Sequence, residues 1–124
     1  MKLFTLAEAN ELLPGVRANL QTIQKLYAKI DTYRDAARSA AVASEFGGGM
    51  KGGSDYVKAL YEIGKITTEL HDLGIQLKDY SRGLIDFPSM RDGRVVLLCW
   101  QLGEDEIIEW WHELEAGFAG RQPL

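Results

Sequence analysis

The sequence predicts an α+β fold, mainly α: a long antiparallel helical hairpin, a two-stranded antiparallel β-hairpin and a short C-terminal helix. Three observations carry this reading. Two long stretches repeat apolar residues at alternating spacings of three and four, and a glycine-rich run separates them. Asp92-Gly93 lies between the apolar runs Leu84–Phe87 and Val95–Trp100, and that dipeptide tolerates the positive φ angles of a tight hairpin turn. Beyond it, Ile107, Ile108, Trp111 and Leu114 fall on one face of a helix over Glu106–Glu115.

At 124 residues the chain has the size of one domain, residues 1–124. The N-terminal helical region covers 1–46. Thr5-Leu6-Ala7-Glu8 is a capping box: the threonine oxygen accepts the Glu8 N–H while the glutamate reaches back to the cap. The apolar stripe then runs Leu6, Ala9, Leu13, Val16, Leu20, Ile23, Tyr27 and Ile30, in the manner of a coiled coil. Pro14 interrupts it and cannot donate to the carbonyl four residues back, so a kink or break is expected there. Past Tyr33 the stripe dilutes into alanines, which sustain a helix to about Glu45.

Residues 47–53 contain five glycines in seven positions (Gly47, Gly48, Gly49, Gly52, Gly53) and read as a flexible loop. No G-x-x-x-x-G-K-[ST] pattern supports a phosphate cradle. A second long helix is expected over 54–79, capped by Ser54-Asp55 and striped by Tyr56, Leu60, Ile63, Thr67, Leu70, Gly74 and Leu77. Residues 83–124 then hold the β-hairpin, the short helix and a tail. The tail Gly117–Leu124 has no regular period, yet Phe118 and Arg121 predict that it is ordered. Phe118 should pack near the β-hairpin, and Arg121 should pair with Asp86 or Glu104.

The formal net charge of −4 argues against nucleic acid or an anionic membrane as the main partner. A single cysteine excludes an internal disulfide framework and fits a reducing compartment. Met1–Phe4 leads straight into a helix start, so no signal peptide is expected, and no apolar run approaches the ~20 residues of a membrane span. A cytoplasmic location follows as the expectation.

The polar residues of chemical interest cluster late. Asp86 sits between Ile85 and Phe87, so alternation points it away from both neighbours, into water or into a pocket that holds a partner. Arg94 is a cross-strand candidate for that partner. Glu104 begins the final helical segment, and His112, eight residues on, would lie on roughly the same side. Asp86, Glu104 and His112 are thus the candidate catalytic residues, and the same three are candidate ligands for a divalent metal. The alternative, and the preferred reading, is a hydrogen-bonded polar network that locks the hairpin and tail onto the helices. Arg94, Arg121 and Lys78 are the candidate ligand-binding residues, suited to a small anionic ligand. Lys78 also reads as a last-turn lysine complementing a helix dipole. Cys99 reads as a small buried hydrophobe, since no adjacent residue supplies a base.

GLIDFP (Gly83–Pro88), GR-V-LCW-LGE (Gly93–Glu104), the Trp111-His112 pair, GFAGRQP (Gly117–Pro123) and the opening FTLAEANELLP (Phe4–Pro14) resemble a family of uncharacterised bacterial proteins known as domain of unknown function 2203. The resemblance spans nearly the whole chain. It implies no activity, substrate or cofactor, but it draws attention to Lys78, Asp79, Asp86, Arg94, Glu104, His112 and Arg121 inside the matching blocks. Two functional expectations follow from the residues themselves. The first is a non-catalytic binding or assembly module that homodimerises through its long helices, because a two-helix hairpin cannot cover stripes this wide. The second is a small enzyme or metal-binding protein using Asp86, Arg94, Glu104, His112 and Arg121.

Overall fold

The computed structural model describes residues 1–44 and 53–124. Helix α1 spans Leu6–Ser44 and helix α2 spans Gly53–Leu73, followed by strands β1 (Gln76–Asp79), β2 (Leu84–Arg91), β3 (Arg94–Gln101), β4 (Trp110–Glu113) and β5 (Gln122–Pro123), with a 3-10 turn at Phe118–Gly120. The glycine run at 47–52 lies outside the described residues, and Gly53 opens α2. About 50% of the chain is helical and 24% is strand. No described helix is long and apolar enough to cross a membrane.

The capping box forms as the residues require. Glu8 N–H donates to Thr5 Oγ1 at 3.1 Å, and Thr5 N–H donates to Glu8 Oε1 at 3.0 Å. The break expected at Pro14 does not occur, since α1 runs unbroken through it. An interior proline, which loses one helical hydrogen bond and crowds the carbonyl four residues back, costs about 3 kcal/mol, but Leu13 and Val16 on either side are buried in the core and hold both turns in one helix.

Helix α2 stops six residues earlier than the expected end at Asp79. Gly74 adopts φ 94°, its N–H donates to the His71 carbonyl, and Ile75 N–H donates to the Leu70 carbonyl. That pair of bonds is a Schellman cap, which only a residue tolerant of positive φ can close. Gly74 therefore closes the helix, and Leu77 belongs to β1, not to a continued helical stripe.

The two-stranded sheet and short C-terminal helix are corrected to a five-stranded antiparallel sheet in the order β1-β2-β3-β4-β5. Strands β2 and β3 pair through the tight turn at Asp92-Gly93, whose φ angles are 51° and 77°. The segment expected as a helix, Glu106–Glu115, instead contributes β4, with Cys99 opposite Trp110 and Val96 opposite Glu113. The physical reason lies in β3. Its central residues Val96–Trp100 are buried, so its outer edge of backbone donors and acceptors must be paired. Trp110-Trp111-His112, bulky and suited to a pleated surface, supplies that strand.

Strand alternation divides the sheet into two faces. Ile85, Phe87, Val96, Leu98, Trp100 and Trp111 pack with Leu13, Leu20 and Ile23 of α1 and with Ile66 and Leu70 of α2 in the main core. A second cluster joins Ile30 to Ala59 and Ile63, and Tyr33 meets Tyr56 edge to face at 6.0 Å. Later residues of α1 thus meet earlier residues of α2, so the two helices run antiparallel. The sheet thus packs against much of the α1 stripe, from Ala9 to Ile23.

Candidate functional site

The opposite face of the sheet carries the polar residues. In the β2–β3 register Asp86 stands directly across from Cys99, and in the β3–β4 register His112 stands across from Leu97, one step further along the same face. Asp86, Cys99 and His112 are all buried, at 1–2% exposure. Their ligand atoms lie within 4.8 Å of one another.

His112 is held at both ring nitrogens. Nδ1 lies 2.7 Å from the Glu113 carbonyl oxygen, and Nε2 lies 3.1 Å from Asp86 Oδ1. A carbonyl only accepts, so Nδ1 carries a hydrogen, and Nε2 turns toward the carboxylate. Asp86 and Nε2 therefore share either a proton or another positively charged centre. Burial, followed by the charge and hydrogen bonding of Asp86, pushes the Cys99 thiol up to about 12, while Arg121 acts in the opposite direction. As a free thiol Cys99 is protonated and a poor nucleophile.

A cavity of about 200 Å³ opens above these three groups. Leu84, Leu97, Leu114, Gly117 and Phe118 form its walls, and Lys78 of β1 reaches it from the side. The tail closes over this region in an ordered course. Phe118 has the guanidinium of Arg82 at 4.5 Å and that of Arg121 at 4.1 Å from its ring centroid. Arg121 also lies 5.0 Å from the Trp110 ring centroid, and its Nη2 pairs with Glu104 Oε2 at 2.8 Å. Burial works against the Arg121 charge, but the hydrogen bond and charge of Glu104 hold its pKa above the ordinary value.

The sequence-derived candidates separate accordingly. Asp86 and His112 come together, with Lys78 at the edge of their cavity; Lys78 sits on a strand, so the last-turn role expected for it does not apply. Glu104 does not join them. It accepts from the Gln101 N–H at 2.7 Å and binds Arg121, because residues 102–109 form a loop where a helix was expected to align Glu104 with His112. Arg94 is also elsewhere. It stands opposite Arg91 in the sheet, and its guanidinium grips Glu113, with Nε 3.0 Å from Oε1. The expected Asp86–Arg94 pair is therefore replaced by Asp86–His112.

Cys99 is the member that sequence reasoning missed. The signal was present in the turn: a two-residue loop at Asp92-Gly93 pairs Arg91 with Arg94, and counting back along both strands sets Asp86 against Cys99. Nothing in the sequence, however, brings β4 to the other edge of β3.

No curated protein and no solved structure matches the chain. A family model described as an uncharacterized conserved protein matches residues 2–124, and the chain accordingly belongs to the DUF2203 family.

Proposed function

We propose that this chain is a metal-binding protein whose centre is formed by Asp86, Cys99 and His112. The carrying observation is the arrangement of His112: Nδ1–H is fixed on a backbone carbonyl while Nε2 faces a carboxylate and a thiol inside a 4.8 Å cluster. That is the second-shell pattern that orients a ligating imidazole. Ligand atoms around a tetrahedral zinc lie about 3.3–3.8 Å apart, so small side-chain shifts suffice to close the set. A mixed nitrogen, sulfur and oxygen donor set suits zinc or cobalt over calcium or magnesium.

Three protein ligands would leave a fourth position, and Asp86, Cys99 and His112 all line the cavity. Cys99 would bind such a metal as the thiolate, and the metal would supply a Lewis acid to whatever fills the cavity. The test is binding of Co²⁺ to metal-free protein. One equivalent per chain with a thiolate-to-cobalt charge-transfer band is expected, and the band should vanish in Cys99→Ser. Absence of both zinc and cobalt binding at micromolar concentrations would overturn the reading.

A second reading, homodimerisation through a helix, is favoured by one separate observation. Val57, Leu60 and Tyr61 of α2 are 62%, 44% and 69% exposed, and Gly64 continues the same stripe with open space at its Cβ position. Light scattering tests it; a mass of 13.9 kDa at micromolar concentration tells against it.

A further inference from the structure

We infer that the cavity above the centre takes a small organic monocarboxylate, its carboxylate between the metal position and Lys78 and its short alkyl part against the leucine and Phe118 walls. This rests on the metal reading above and specifies what occupies the fourth position. Three features of the cavity carry it.

The first is charge. Lys78 is the only cationic side chain among the described residues that line the cavity, and it has no carboxylate within ion-pair distance there. The two guanidiniums nearby are already engaged: Arg121 pairs with Glu104, and Arg82 donates to Gln101 Oε1 at 2.7 Å. Asp86, the one carboxylate on the wall, is bound to His112. A divalent metal at the cluster, held by the Asp86 carboxylate and the Cys99 thiolate, would be nearly neutral overall and would offer an open Lewis-acid position to an anionic oxygen, leaving Lys78 as the cation of the cavity.

The second is the wall. Leu84, Leu97, Leu114 and Phe118 are apolar, which disfavours a fully hydrated anion such as phosphate and favours one with a hydrocarbon portion. The third is size. A volume of about 200 Å³ is below the usual ~300–1,000 Å³ of sites for larger ligands, and it admits a short-chain acid.

The experiment titrates the Co²⁺-loaded protein with butanoate and follows the cobalt d–d bands. A saturable shift is expected, with acetate and inorganic phosphate each binding more weakly. Lys78→Met should weaken butanoate about tenfold while Co²⁺ affinity is retained, the size expected of one charge-assisted contact. An intact cobalt spectrum that butanoate leaves unchanged overturns this inference and spares the metal centre. Phosphate binding as tightly as butanoate overturns the assignment to a carboxylate with an alkyl part. A protein that gives no cobalt spectrum removes both.

Discussion

His112 Nε2 stands 3.1 Å from Asp86 Oδ1, and each side chain is only 3% exposed. Two polar groups from strands that do not neighbour each other thus meet beneath the tail, across β3. Such a pair is costly to bury and costlier to halve, because the survivor keeps its desolvation penalty without its partner.

Asp86→Ala should therefore destabilise the metal-free fold by about 3 kcal/mol, and His112→Ala by a similar amount. The double variant should be less damaged than the sum, with a coupling of about 1–3 kcal/mol. Urea unfolding of the four proteins measures this. Strict additivity would mean that the two side chains do not interact.

Cys99 supplies a pH dependence. Burial, then the charge and hydrogen bonding of Asp86, raise its thiol from 9.0 to about 12 in the folded chain. Between those two values the unfolded chain has released a proton that the folded chain retains, so stability falls as pH rises. The contribution of the neutral thiol is complete below about pH 9 and lost on the way to about pH 12. Cys99→Val, compared with the parent protein in urea unfolding from pH 8 to pH 11, should lose part of this alkaline decline. Parallel curves for the two proteins would contradict the assignment.

Arg121 ties the tail to the sheet. Its side chain is 13% exposed, pairs with Glu104, and lies against the rings of Trp110 and Phe118. Arg121→Ala should lower stability by about 1–3 kcal/mol, since Glu104 is left partly buried without its cation. Thermal unfolding reads the effect. Glu104→Gln in the Arg121→Ala background should recover part of the loss by removing the unmatched charge.

How far the sequence reaches can be judged from particular residues. The capping box at Thr5–Glu8 and the turn at Asp92-Gly93 are local events, each specified by a few adjacent side chains, and the tail shows its anchors, Phe118 and Arg121, by residue type alone. Asp86 likewise declared itself, as a charge alternating within an apolar run. What was not legible depends on distant pairing. Trp110–Glu113 carries a pattern compatible with a helix, and only the buried edge of β3 makes it a strand. Read as a helix, that segment aligns His112 with Glu104 and leaves Cys99 out of the site. Gly74 is illegible for a related reason: at helical spacing from Leu70 it looks like one more stripe position, whereas its positive φ ends the helix.

That glycine allows a sharp test of the boundary between α2 and β1. Its φ of 94° is a conformation that residues with a Cβ rarely adopt. A Cβ placed there would lie 2.7 Å from Lys2 Cβ, in the segment where Phe4 N–H donates to the Pro88 carbonyl at 2.7 Å and Ser89 Oγ–H donates to the Phe4 carbonyl at 2.6 Å. Strain at the backbone and the clash with the N-terminal segment act together. Gly74→Ala should cost about 1–3 kcal/mol, more than the same change at Gly64, which is helical and open at its Cβ position. At Gly64 alanine should stabilise, because helix propensity favours it by about 1 kcal/mol. Urea unfolding of the two variants gives the comparison. If α2 instead continued through Gly74 toward Asp79, both substitutions would stabilise the protein, and the cap at Leu73–Ile75 would be refuted.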